Sequence, residues 1–179
     1  LKLLNLTIEE IHIFGIDSLI IDFLKIPDSK LTADALDFIH EGNNISLLQN
    51  EELTVQIFSL LELGDYKQKI KVIAFFGDNM SKIPIDIVSA LINEGIIEII
   101  NEIINSSTFE VQFSSLCIIR FCIYSSDLLN NNISVFERCF KPEIYNTIDE
   151  LKNSPCNDIS STATHIINKL DSIASNLTY

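Results

Sequence analysis

The chain has 179 residues, 47% of them hydrophobic, with 25 acidic against 12 basic side chains and a formal net charge of −13. Such a length and apolar content suffice for one sizeable core or several stacked small ones, while charges interrupt every candidate bilayer span, as Glu98 and Glu102 do between Gly95 and Ile104. The acidic excess disfavours nucleic-acid phosphates and anionic lipid surfaces as ligands.

Taken in chain order, the punctuation marks groups of three helices. Thr7 can cap a helix through Phe14, Gly15 breaks it, a second helix reaches Ile26, and Pro27-Asp28-Ser29 turns the chain into a third, near Lys30 to His40. A second group runs from about Asn43 to Gly77. In the third group Pro84 opens a helix to Glu94, because a first helical turn leaves the missing proline N–H without cost. Gly95 breaks that helix, and the next spans Ile96 to Asn105. At about 100° per residue its isoleucines 96, 97, 99, 100, 103 and 104 share one arc, with Glu98, Asn101, Glu102 and Asn105 opposite. Ser106-Ser107-Thr108 is predicted to turn the chain and cap the next helix, the hydroxyls accepting from open N–H groups. That helix, Phe109 to Tyr124, is apolar nearly all round, as expected of one sandwiched between neighbours. After the loop Asn130-Asn131-Asn132, Pro142 starts the second helix of a last group and Ser154-Pro155 precedes its third, near Asp158 to Ser175.

These groups are copies of one another. Ile45 to Leu61 lies gap-free on Val88 to Ile104 at a shift of 43 positions, and Asp65, Ile70, Ile73, Phe75 and Phe76 fall on Thr108, Phe113, Leu116, Ile118 and Ile119 at the same shift. Phe14 to Leu24 matches Glu94 to Ile104 by residue class at a shift of 80, and Asp158, Ile159, Ile166 and Ile167 take the places of Glu110, Val111, Ile118 and Ile119 at a shift of 48. A period of about 40 residues signals a helical solenoid, in which stacking supplies the core that no unit buries alone. The expectation is an all-α chain of about four three-helix repeats, roughly 1–42, 43–82, 83–129 and 130–179, with no domain boundary within 1–179. Runs such as Ile11-His12-Ile13-Phe14 could pass for strands, but the sustained period near 3.6 argues for helices.

The stretch Glu94-Gly95-Ile96-Ile97-Glu98-Ile99-Ile100, followed by Glu110-Val111-Gln112-Phe113-Ser114-Ser115-Leu116-Cys117-Ile118-Ile119-Arg120-Phe121, resembles an armadillo repeat. In that family a glycine separates the first two helices and a Glu/Pro-Val-Gln-like start leads into the third. Glu52 and Lys141 depart from the pattern at the places matching Gly95, and the related HEAT repeats fit the outer units nearly as well. The resemblance implies a right-handed α-α superhelix whose third helices line a concave groove for a partner peptide or helix. Import adaptors of this fold carry Trp and Asn one turn apart on those helices. The matching places here are Asp37 and Glu41, Ala74 and Asp78, Cys117 and Phe121, and His165 and Lys169, none of them Trp or Asn. The implied groove is thus a peptide surface without the import chemistry.

Asp34, Asp37, Glu41 and Asp78 make the N-terminal half of that surface acidic and attractive to Lys/Arg-rich segments, unless they are simply solvated charges that keep the protein soluble. The ridge Glu94-Glu98-Glu102, spaced at i, i+4, reads as an exposed polar face and not as paired catalytic carboxylates. His12, His40 and His165 lack a partnered nucleophile motif, and the five glycines form no phosphate loop. Cys117, Cys122, Cys139 and Cys156 show no metal-ligand spacing and read as reduced core or near-core thiols. Six Asn-x-Ser/Thr triplets, at Asn5, Asn44, Asn79, Asn105, Asn132 and Asn176, are expected by chance in a chain this rich in Asn and Ser. Reduced thiols and chance triplets make the cytoplasm the expected compartment, with the nucleus open, and the lack of a legible secretory leader adds little at a start without methionine. The reading is a non-catalytic protein-interaction scaffold needing no cofactor, metal or small-molecule substrate. The competing reading is a regulatory or structural repeat arm of a larger protein, against which the polar end Ser175-Asn176-Leu177-Thr178-Tyr179 looks able to stop a stack.

Overall fold

The computed structural model describes residues 15–41, 44–126 and 132–177, and among them every regular element is helical, with no strand. The chain divides into two compact units, one ending at Ile83 and the other beginning at Pro84, next to the border expected between the second and third repeats. The expected helix from Thr7 to Phe14, with His12, lies outside the described residues, as do Asn130 and Asn131.

In the first unit, helix α1 (Ile16–Lys25) begins after Gly15, whose φ of 63° is left-handed. The Asp28 carboxylate accepts from the N–H groups of Lys30 (2.8 Å) and Leu31 (3.1 Å), starting α2 (Ser29–Glu41). A 3-10 helix, Ile45–Gln49, leads to extended Asn50, whose side chain caps α3 (Glu51–Glu62) by accepting from Leu53 N–H at 3.2 Å. Asp65 and Gln68 form a reciprocal capping box at the start of α4 (Tyr66–Asn79), satisfying two otherwise open donors. Gln68 is also buried against α2, where its amide donates to the Thr32 hydroxyl at 3.1 Å. Helix α1 packs on α3 and α2 packs on α4, so like lies on like.

The second unit repeats the plan. Pro84 is the cap of α5 (Ile85–Asn93), and Gly95, with φ 82°, separates it from α6 (Ile96–Ile103). A 3-10 turn, Ile104–Ser106, follows before α7 (Phe109–Ser125). Helices α8 (Asn132–Cys139), α9 (Pro142–Leu151) and α10 (Asn157–Leu177) complete the unit, with Pro142 at the first turn of α9 as expected. Here α6 packs on α9 and α7 on α10.

Burial repeats with the sequence. At the shift of 43, Leu53, Ile57, Leu60, Ile73, Phe75 and Phe76 correspond to Ile96, Ile100, Ile103, Leu116, Ile118 and Ile119, and all twelve are buried. At the shift of 48, Ile159, Ile166 and Ile167 are buried like Val111, Ile118 and Ile119. Helices α2, α4, α7 and α10 begin at Ser29, Tyr66, Phe109 and Asn157, which the same three shifts bring onto one repeat position. Both departures from the glycine pattern have a physical reason. Glu52 lies inside α3, whose extended cap Asn50 stands two residues before it, and Lys141 has φ −56° where Gly95 is left-handed; each helix starts by another device, a side-chain cap for α3 and Pro142 for α9. Glu52 and Lys141 therefore occupy backbone that any L-residue can adopt.

Three local expectations are corrected. Thr108 makes no side-chain cap to α7, while Ser106 and Ser107 donate to the Ile103 carbonyl at 3.1 and 2.6 Å, tying off the end of α6 instead. The α-helical part of the Ile96 helix stops at Ile103, two residues before Asn105. Glu98 is no free solvent-facing charge: its carboxylate accepts from Arg138 (2.8 Å) and Lys141 (3.0 Å), joining α6 to the end of α8 and the turn into α9.

Two core details carry chemistry. Cys122 and Cys139 are buried, and burial pushes both thiols up to about 12, so neither is a thiolate at neutral pH. Ser115 is fully buried and its hydroxyl has no hydrogen-bond partner among the described residues, at the place where the preceding repeat carries Val72.

Candidate functional site

Third helices meet within each unit, and each meeting face holds a concavity. In the first unit α2 and α4 enclose about 110 Å³ lined by Asp37, Ala74 and Asp78 together with His40, Lys71 and Asn79. Their mutual placement follows from helical spacing. Asp37 and His40 are three apart on α2, and Lys71, Ala74 and Asp78 recur at three and four on α4. Asp37 and Asp78 are exposed and Ala74 is half-buried. Asp34 is exposed on α2 but does not line the concavity. The side chain of Glu41 lies outside the described residues.

One polar pair fixes the floor. Asn79 is fully buried, its amide N–H donates to the Phe75 carbonyl at 2.8 Å, and its oxygen faces His40 Nδ1 at 2.9 Å. An amide oxygen only accepts, so Nδ1 carries the proton and donates. Sequence reasoning missed this pair. The Asn-x-Ser/Thr triplets at Asn79 and Asn44, expected by chance, fall on side chains that are both buried in the folded chain.

In the second unit α7 and α10 border a concavity of about 320 Å³ lined by Arg120, Phe121, Tyr124 and His165. Phe121 is half-buried and His165 exposed. The Lys169 ammonium sits over the Tyr124 ring, 5.6 Å from its centroid, a cation–π arrangement one turn beyond His165. Cys117, also half-buried, lies one turn before Phe121 on α7 and does not line the concavity. Arg120 and Tyr124 were not singled out by sequence, although their spacing from Cys117 and Phe121 places them on the same helical side. The Arg120 guanidinium forms no ion pair among the described residues.

What these faces can do follows from the donors they present. The α2/α4 face offers two carboxylates beside small Ala74, with Lys71 as its counter-charge. The α7/α10 face offers two aromatic rings, an imidazole and two cations. Among the described residues no group of three His, Cys, Asp or Glu side chains is placed to hold a metal ion, and no helix is long and apolar enough to cross a membrane. Compared with known proteins, the sequence matches no protein-family model and no curated protein.

Proposed function

We propose that this chain is a non-catalytic interaction scaffold, an armadillo-like right-handed superhelix of about four repeats that binds partner peptides or helices on the faces of its third helices. The observation that carries the reading is the pairing of those helices. Five positions that the repeat resemblance picks out, Asp37 with Ala74 and Asp78, and Phe121 with His165, line concavities where α2 meets α4 and α7 meets α10. A repeat that stacks like helix on like leaves such a row of equivalent side chains facing outward, which suits an extended or helical ligand. The partner of the first unit is a Lys/Arg-rich segment, matched to exposed Asp34, Asp37 and Asp78.

A fluorescently labelled Lys/Arg-rich peptide titrated with the full chain tests this. Binding is expected to weaken as salt rises, because exposed charges are screened within about 10 Å at 0.1 M, and to be abolished in Asp37→Lys with Asp78→Lys. Unchanged binding in a double variant that keeps its helical circular dichroism contradicts the assignment.

A further inference from the structure

The two third-helix faces do not offer the same chemistry, and the second carries a specificity of its own. We propose that the α7/α10 face binds an acidic peptide segment, one or two carboxylates flanking an apolar side chain. This deepens the reading of the third-helix faces as peptide surfaces and rests on it.

The argument begins with scarcity. In a chain of net charge −13 there are only two arginines, Arg120 and Arg138. Arg138 is committed to Glu98 at 2.8 Å, a structural link between neighbouring repeats. Arg120 is exposed, has no carboxylate partner among the described residues, and borders the α7/α10 concavity. A guanidinium offers a planar fork of donors whose geometry matches a carboxylate in two parallel hydrogen bonds. Lys169 reinforces it from α10, held over Tyr124 at 5.6 Å and so restrained before any ligand arrives. Between them Phe121 and Tyr124 supply the apolar wall against which a ligand's side chain can be desolvated.

Charge also separates the candidate anions. A nucleic acid or polyphosphate bears charge along its length and meets the repulsion of the whole acidic chain. A short peptide segment bears its charge locally and adds apolar contact with Phe121, which polyphosphate lacks.

The test uses the full chain and two labelled peptides, one Asp/Glu-rich with a single leucine and one of Gly and Ser. The acidic peptide is expected to bind and the neutral one not. Arg120→Glu and Lys169→Glu should each weaken acidic-peptide binding by about tenfold or more. Lys82→Glu, the same charge change at an exposed residue of the first unit, should leave it unchanged. Equal binding of the two peptides, or binding insensitive to both reversals, overturns the proposal. Displacement of the acidic peptide by inorganic polyphosphate at lower concentration than by unlabelled peptide overturns it in favour of a phosphate ligand. A Lys/Arg-rich peptide run alongside keeps the failures distinct, since loss of that binding removes the reading of the first unit while acidic-peptide binding still stands or falls alone.

Discussion

Glu98 shows how one side chain changes meaning when its surroundings are known. By helical spacing it sits on a polar arc with Glu94 and Glu102, and its cations lie 40 and 43 residues away, one repeat further on. Partial burial raises its pKa, but hydrogen bonds from Lys141 and Arg138, together with the positive charge of Arg138, outweigh that and hold the carboxyl below its ordinary 4.5. A carboxyl depressed in the folded state adds stability above its unfolded pKa and loses it as pH falls through the folded value. Because all three side chains keep substantial solvent contact, Glu98→Gln should cost about 1 kcal/mol or less at neutral pH. In urea unfolding the difference between parent and variant should shrink as pH drops below 4.5, and a difference constant with pH would refute the charged bridge. Opposite charges one repeat apart were the signal available in the sequence, and the helical arc of a single element could not reveal it.

At the scale of the element, starts and stops were largely written in residues whose backbone chemistry is local. Gly15, Pro84, Gly95, Pro142 and the Ser154-Pro155 break all mark observed helix boundaries. Missed devices depended on more than one residue, such as the Asp65–Gln68 box or the exchange of a glycine break for capped, extended Asn50. Left-handed backbone costs a residue with a Cβ about 1–2 kcal/mol, so Gly95→Ala should lower stability by about that amount although, beyond its chain neighbours, the added carbon meets nothing nearer than Glu98 Oε2 at 3.6 Å. Glu52→Gly, at the matching place in α3, should bring no gain and cost about 1 kcal/mol through helix propensity. Equal denaturation midpoints for the parent and Gly95→Ala would contradict this account of the break.

For the molecule as a whole, the repeat was the legible feature, because burial at stacked positions constrains residue class at every copy. Equivalents such as Leu53 and Ile96, or Phe76 and Ile119, are both apolar and both buried. Surface faces lack that constraint. The concavities took their predicted members from the repeat resemblance, but His40, Asn79, Arg120 and Tyr124 joined them through contacts between helices 39 to 45 positions apart, which no single period displays. The two faces that result differ in sign, carboxylate-bearing on α2 and α4, cationic and aromatic on α7 and α10.

Amide hydrogen exchange of the full chain, with and without each peptide, tests the peptide-scaffold reading most directly. The Lys/Arg-rich peptide should slow exchange in α2 and α4, and the Asp/Glu-rich peptide in α7 and α10. Protection falling instead on α1, α3, α6 or α9, or no protection from either peptide at saturating concentration, would contradict it.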